Sequence, residues 1–506
     1  MKKSTLRLSA FLLMFLFLTV KIHAQETSAG KCYTLDYELW KAAEYPDVHG
    51  NCGSSEIFNP DSDFTMEVWV RSYTFGLNMK IMGRTNLSFD NGYIMGFENM
   101  HLYSQIFNPD NQEIPRSGNG PMEQDSAWIH LATTYSSTGK MINYINGVEV
   151  GSRSVYPQNS VSPSTEPFII GRAPWDFAWA FNGNIDEIRL WNVVRTPEQI
   201  NEFMFKELKG DESNLLAYYN FNSPNDASFY DKTSNENHGI INNYDEDCFF
   251  WDNSFAPVGD TAMYQMKDVQ ANWFGKSSSE YAYAITENGL SVLANGINEK
   301  EFEKYVVFGH NDGTGTNENN APENAPNDFR RLERIWYLNQ GGSFKSQVVF
   351  NLEQASNGGE QLTATENATL YTLLYKSNEI DDFTALYSAS EIHGNVVMFN
   401  NVELEDGFYT ISYSSEQLAD PTTGIQQPNQ KHLVNIFPNP ASDYLYIKNA
   451  ANFSIDIYDI LGGKIRTEFI TSNDHKINLN GIKKGLYILS FTNGKTTFTE
   501  RIIIKE

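Results

Sequence analysis

Residues 127–151 read AWIHLATTYSSTGKMINYINGVEVG, and their patterning decides the fold class. From Trp128 to Tyr135 and from Met141 to Ile145 the residues follow the two-residue period of a strand whose faces meet different surroundings. Asn146 and Gly147 both tolerate positive φ, so they predict a two-residue hairpin between Ile142–Tyr144 and Val148–Val150. Further out, Phe64, Met66, Val68 and Val70 alternate with Thr65, Glu67, Trp69 and Arg71. Short alternating strands succeed one another from about Lys31 to Pro257. One short helix is signalled at Thr196-Pro197-Glu198-Gln199, where Thr196 caps, Pro197 suits the first turn and Gln199 completes a capping box. The expectation is an all-β chain.

Six further segments surround that stretch in order. They are FTMEVWVR (64–71), IMGR (81–84), PFIIGRA (167–173), FNGNIDEIRLWNVVRTPEQI (181–200), LLAYYNFN (215–222) and DKTSNENHGII (231–241). Together they resemble the laminin-G-like, concanavalin A-type jelly roll of bacterial surface proteins. The resemblance implies a two-sheet sandwich over residues 31–257. The aspartate-rich entry strand usual in that family is replaced by CYTLDYELWKAAEYPDVHGNC (32–52), so a ligand supplied from the entry loop is not assured.

This fold hosts both binders and β-glucanases, so function is read from the site. Retaining glucanases need two carboxylates about 5 Å apart in the groove. In DEIRLW (186–191), Asp186 and Glu187 are adjacent, which by strict alternation puts them on opposite faces. Asp186 would share the core face with Ile188 and Leu190, and Glu187 would share the other with Arg189. No carboxylate pair is expected, and HExxH, GxSxG and phosphate-loop motifs are absent. The reading is therefore a non-enzymatic protein, with an extracellular polysaccharide-degrading enzyme and a structural matrix component as alternatives. A carboxylate on the core face must be paired or metal-bound. The resemblance implies a structural Ca2+ site at Asp186 near the first strand, with backbone carbonyls and waters completing the shell; Asp36 on the entry strand is the second candidate, and the alternative is an aspartate accepting from backbone amides. Ligand contacts are expected from Trp175, Phe177 and Trp179 in RAPWDFAWAF (172–181), and from Glu67, Trp69 and Arg71. Those rings could equally fold onto the sheet, and the strand residues could form a half-buried layer. His238 is read as a structural hydrogen-bonding residue rather than a ligand.

From 260 to 415, YAYAI, KYVVFG, RIWYL, QVVFNL, LYTLLY, NVVMF and FYTISY predict a second β-sandwich. The loop HNDGTGTNENNAPENAPNDF (310–329) places Asp312 where a calcium loop could begin, but lacks the Asp-x-Asp-x-Asp-Gly spacing. Residues 416–432, rich in Gln, Pro and Thr, read as a linker. The stretch from Leu433 to Glu506 holds Pro438-Asn439-Pro440, then Tyr458-Asp459 with Leu461-Gly462, then Gly485-Leu486-Tyr487. It resembles a type A sorting domain of the type IX secretion system, a small immunoglobulin-like fold. The sorting residues so implied are Pro438, Asn439, Pro440, Asp459, Gly462, Gly485 and Tyr487. The implied partner is the secretion machinery, and the implied fate is tail removal followed by release or attachment to the outer-membrane surface.

The N-terminus agrees with export. Lys2, Lys3 and Arg7 precede an apolar run from Leu8 to Val20, and Ile22-His23-Ala24 suits cleavage after residue 24. No other apolar run approaches membrane-spanning length, so no transmembrane anchor is expected in the mature chain. The formal charge is −26. Four basic residues leave with the signal peptide, and the tail holds nine basic and seven acidic residues, so the passenger carries −32. Such a charge argues against nucleic acid or anionic membrane as ligand, and suits solubility outside the cell and affinity for divalent cations. The expected ligand partner is a glycan or a surface protein. Cys32, Cys52 and Cys248 allow one disulfide in an oxidising compartment, with three pairings open.

Overall fold

The alternating segments at 64–72 and 128–135 become neighbouring antiparallel strands, with Phe64 opposite Tyr135 and Arg71 opposite Trp128. The computed structural model describes residues 30–505 apart from 37–46, 61, 74–77, 108–111, 114–126, 155–160, 175–178, 226, 245–248, 274–287, 296–302, 324, 343, 419–434, 438–440, 443, 449, 451–452, 460–463, 471–473 and 493–496. The signal-peptide reading therefore lies outside the described residues.

Two eight-stranded sheets form the jelly roll. The first runs β10 (Val148–Ser154), β9 (Lys140–Ile145), β8 (Trp128–Tyr135), β3 (Phe64–Ser72), β12 (Gly183–Trp191), β1 (Lys31–Leu35), β16 (Phe249–Asn253), with β13 (Leu215–Tyr219) also on β12. The second runs β14 (Ser228–Phe229), β15 (Gly239–Asn242), β2 (His49–Asn51), β11 (Ile169–Ile170), β4 (Asn78–Arg84), β5 (Tyr93–Glu98), β6 (His101–Phe107), β7 (Gln112–Glu113). Phe64, Met66, Val68 and Val70 of the first sheet meet Tyr93, Met95 and Phe97 of the second in one buried core. The hairpin forms as the sequence predicts, with Asn146 at φ 49° and Gly147 at φ 76°. Helix α1 (Pro197–Phe203) starts on the expected reciprocal cap between Thr196 and Gln199.

The second sandwich has an eight-stranded sheet of β17 (Lys267–Trp273), β19 (Tyr305–His310), β22 (Trp336–Gly341), β28 (Gly407–Tyr413), β21 (Arg330–Leu332) and β20 (Thr316–Asn317), with β24 (Tyr371–Lys376) on β28 and β25 (Thr384–Ser388) on β24. Facing it are β18 (Leu290–Asn295), β23 (Lys345–Asn351), β27 (Val396–Glu403) and β26 (Glu391–His393). It shares a buried cluster with the jelly roll, in which Trp69, Trp128, Phe205, Trp273, Tyr305 and Phe408 all take part. The two sandwiches make one compact unit, and the chain from Pro421 onward makes another. That tail unit packs β29 (Asn435–Phe437), β30 (Tyr444–Lys448) and β33 (Asp474–Asn478) with β32 (Lys464–Phe469), β31 (Ser454–Asp459), β34 (Gly485–Thr492) and β35 (Thr497–Ile504) around its own core.

Candidate functional site

The outer face of the first sheet is covered around Trp69. Trp69 is 0% exposed, donates its indole N–H to the Met204 carbonyl at 2.8 Å, and meets Trp273 edge-on at 5.8 Å. Trp273 in turn donates to the Trp128 carbonyl at 2.9 Å. Glu67 lies beside Arg195 Nε at 3.2 Å, His130 Nε2 at 3.5 Å and Arg189 Nη1 at 4.0 Å. Burial pushes its carboxyl pKa up, but His130 and the two guanidiniums outweigh this and hold it below the ordinary value. Arg71 donates to Asn184 Oδ1 at 3.0 Å and lies over the Tyr73 ring. The expectation of ligand contacts from Glu67, Trp69 and Arg71 is thus corrected. Segment 203–206 and the second sandwich cover them, a layer that strand alternation alone does not reveal.

Alternation also fails at β12. Asp186 pairs with Trp69 and Arg189 with Glu67, so two residues, Glu187 and Ile188, face the single Val68. Glu187 absorbs this bulge at φ 54°. Ile185 and Ile188 then both point into the core, while Asp186, Glu187 and Arg189 share the outer face. The expected placement of Asp186 with Ile188 and Leu190 is overturned by that one extra residue. Glu187 accepts from Arg189 at 2.7 Å and from the Tyr218 hydroxyl at 2.8 Å. Burial pushes its pKa up to about 7, partly offset by Arg189. Asp186 is pushed up by burial and by Glu187.

The described surroundings do not fit a calcium ion shared by Asp186 and Asp36. Ser254 Oγ donates to Asp186 Oδ2 at 2.5 Å, and the Glu187 amide donates to Oδ1 at 2.7 Å. Tyr33 opposes Ile185 and Leu35 opposes Gly183, so Asp36 is four residues of ladder from Asp186, about 13 Å. Ligands of one calcium ion lie at 2.3–2.6 Å from it, so the two cannot share it. Among the described residues no three His, Cys, Asp or Glu side chains gather as a metal set.

The second sheet carries the remaining predicted ring. Across β4, β5 and β6 the register places Lys80, Gly96 and Tyr103 side by side on the outer face. A Cβ at Gly96 would lie 2.7 Å from Lys80 Cα, so glycine leaves room for the lysine to cross. Lys80 Nζ lies 4.3 Å from the Tyr103 ring centre and 5.1 Å from that of Trp179, and donates to the Phe97 carbonyl at 3.2 Å. A bridge between Lys80 and Ala180 brings Trp179 to this face. Trp179 is half-buried, and the Tyr103 hydroxyl donates to Gln105 Oε1. Phe181 enters the core as expected, against Phe97. Trp175 and Phe177 lie outside the described residues. Farther along the face, Arg172 Nε is 2.9 Å from Asp47 Oδ1, and His49 Nε2 is 3.1 Å from Asn242 Nδ2. Burial, with Arg172 adding to it, keeps His49 below its usual pKa and therefore neutral at pH 7. Lys80, Tyr103 and Arg172 were missed in the sequence, because a lone lysine or tyrosine in an apolar strand signals nothing until its cross-strand neighbours are known.

Other candidates take structural roles. His238 Nδ1 accepts from the Asp231 amide at 3.2 Å. Asp312 is 3.6 Å from Arg334 Nη2. Cys32 and Cys52 are buried free thiols in different clusters, and Cys248 lies outside the described residues. In the tail, Asp459 pairs with Tyr487, so two of the sorting elements meet on one ladder. Tyr487 is buried and donates to the Lys483 carbonyl at 2.7 Å, and Gly485 opens β34. Pro438, Asn439, Pro440 and Gly462 lie outside the described residues.

Fold and site together define an all-β protein built on a concanavalin A-like jelly roll. Residues 49–201 match the concanavalin A-like lectin/glucanases superfamily, residues 435–505 the secretion system C-terminal sorting domain, and residues 258–408 a domain of unknown function. The chain thus carries a laminin-G-type domain and a type IX sorting domain, and is secreted or attached to the cell surface. No helix among the described residues is long and apolar enough to cross a membrane. A curated relative, β-agarase D of Zobellia galactanivorans, is 24% identical over 264 residues, 51% of this chain and 48% of that protein. The chain therefore spans about half the length of that relative. A candidate carbohydrate-binding protein of Bacteroides ovatus is 20% identical, with a TM-score of 0.35, over 46% of this chain and 62% of that one. Domain 4 of an extracellular arabinanase from Geobacillus stearothermophilus, solved with arabinotriose, is 23% identical with a TM-score of 0.23, over 28% of this chain and 66% of that one.

Proposed function

We propose that this is an exported, non-enzymatic glycan-binding protein whose ligand lies on the outer face of the second sheet, at Trp179. The observation that carries this reading is the division of the two sheet faces. One is covered by the second sandwich around Trp69 and Trp128, and the other presents Trp179 beside Tyr103, held in place by Lys80. An indole face stacks on a sugar ring while its N–H gives one directional hydrogen bond. Trp175 and Phe177, in the same segment, would extend the contact. The sequence likeness to a β-agarase supports a polysaccharide as the ligand class. The non-enzymatic reading no longer rests on alternation, since Asp186 and Glu187 share a face. It rests on their partners: Glu67 is locked by two arginines, Asp186 by Ser254, and Glu187 by Arg189 and Tyr218. A glycan array probed with the full chain, with agarose-derived oligosaccharides as a separate titration, tests binding. A reducing-sugar assay on the same substrates tests hydrolysis. Retention without release of reducing ends is expected; release that Glu187→Gln abolishes would make the protein a hydrolase.

A further inference from the structure

The sorting tail has a pocket of its own. A cavity of about 560 Å³ lies between the β33–β34 turn and the end of β35, lined by Ser442, by residues 479–484, and by Ile504 and Lys505. Its place is tied to the sorting elements. Ser442 comes two residues after Pro438-Asn439-Pro440, and Lys483-Lys484 directly precede Gly485-Leu486-Tyr487. Tyr487 is buried and its hydroxyl donates to the Lys483 carbonyl at 2.7 Å, so a sorting residue fixes the backbone that carries this lysine. On the other wall, the Lys505 amide donates to the Ala441 carbonyl at 2.8 Å, and Ala441 bridges Ile504. The turn itself is closed by the Ile482 amide on the Leu479 carbonyl at 3.0 Å and the Asn480 amide on Asn478 Oδ1 at 2.8 Å. Two sorting elements more than forty residues apart therefore meet at one pocket.

The rim of this pocket is cationic and its floor apolar. Lys483, Lys484 and Lys505 line it, and no Asp or Glu does among the described residues. All three lysines are exposed, and Lys483 and Lys505 form no ion pair among the described residues. The tail holds nine basic and seven acidic residues, so three bases gathered without an acid are a local concentration and not the composition of the tail. Beneath them Leu479 and Ile504 are buried and Ile482 is half-buried.

Ammonium groups donate and never accept, so the rim selects an anion. A small inorganic anion would use the rim alone and leave the apolar floor in water. A peptide with carboxylates on either side of an apolar side chain uses both, and the volume holds a few residues of it. We propose that this pocket is the surface by which the tail is held during export, and that its occupant is an acidic peptide segment of the secretion machinery. An apolar side chain of that segment lies over Ile482 and Ile504, and its flanking carboxylates meet Lys483, Lys484 and Lys505. Tyr487 and the Ala441–Ile504 bridge act as positioning elements, since they hold the two walls that carry the lysines.

Fluorescence anisotropy with the full chain tests the assignment on three labelled peptides: DELLED, its uncharged counterpart NQLLQN, and DEGGED, which keeps the charge and lacks the apolar side chains. DELLED is expected to bind with a Kd on the order of 100 μM at about 50 mM salt, at least about tenfold tighter than either counterpart. Raising the salt to about 500 mM should weaken it about tenfold, because the rim is exposed. The pair Lys483→Glu with Lys505→Glu should weaken DELLED at least about tenfold at an unchanged melting temperature. The pair Lys464→Glu with Lys476→Glu makes the same change of net charge on other strands of the tail and should leave binding intact, which separates the pocket from overall charge. In the native host the pocket pair should stay inside the cell while the other pair reaches the surface or medium, read by immunoblot of the fractions. Equal binding of the three peptides, full affinity or full export of the pocket pair, or equal loss in both pairs would overturn the proposal. Tripolyphosphate binding more tightly than DELLED would make this a phosphate site and overturn it as well.

Discussion

Glu187 is the residue at which local sequence rules and the folded chain part company. A glutamate at positive φ is costly for a non-glycine residue. What holds it is a buried guanidinium and a buried phenol on its carboxylate. Because its pKa is raised from 4.5 to about 7, the folded state prefers the neutral acid. That preference contributes fully below about pH 4.5, the unfolded value, and is lost as pH rises through 7. The loss amounts to about 3 kcal/mol. Urea unfolding between pH 4 and 8 should therefore show wild type losing stability relative to Glu187→Gln by roughly that amount. Parallel curves for the two proteins would show that the carboxyl titrates normally. At Gly96 the lesson is different. Its value is a missing side chain that lets Lys80 reach Tyr103, and a single glycine in YIMGFE gives no hint of its neighbour across the sheet.

At the scale of elements, the short-range rules served well. The Asn146-Gly147 turn, the Thr196 capping box and the alternation of Phe64 to Arg71 are all decided within a few residues, so they were legible. Gly147→Ala forces a Cβ onto a residue at φ 76° and against the Asn201 side chain, and should destabilise by about 1–2 kcal/mol. An unchanged urea midpoint would mean the hairpin relaxes without strain. What could not be read was which face of a strand meets solvent. Trp69 alternates as an outward residue and is outward, yet Met204, Phe205 and Trp273 cover it from 135 and more residues away. Period-two patterning gives two faces and says nothing about a third layer. The β12 bulge escaped for a related reason. Its signal is one residue of register against β3, a partner more than a hundred positions earlier.

For the whole molecule, the sequence divides into a jelly roll, a second sandwich and a tail, whereas the structure joins the first two through a common buried cluster. Leu418 packs with Phe329, Leu374 and Phe383, so the second sandwich holds its chain to that point. Removal of the sorting tail is therefore expected beyond Leu418 and before the first tail strand at Asn435. Intact-mass analysis of the exported protein checks this, and a mature C-terminus before Leu418, or a retained tail, would count against it. The central claim is that one sheet face binds and the other is covered around Trp69, and the paired variants Trp179→Ala and Trp69→Ala test it. For each, glycan affinity per folded molecule and the free energy of unfolding are measured together. Trp179→Ala should lose about 1–2 kcal/mol of binding and little stability. Trp69→Ala should lose roughly 3–5 kcal/mol of stability and keep its affinity. The reverse pattern, with Trp69→Ala stable but unable to bind and Trp179→Ala unfolded with affinity intact, would contradict the account.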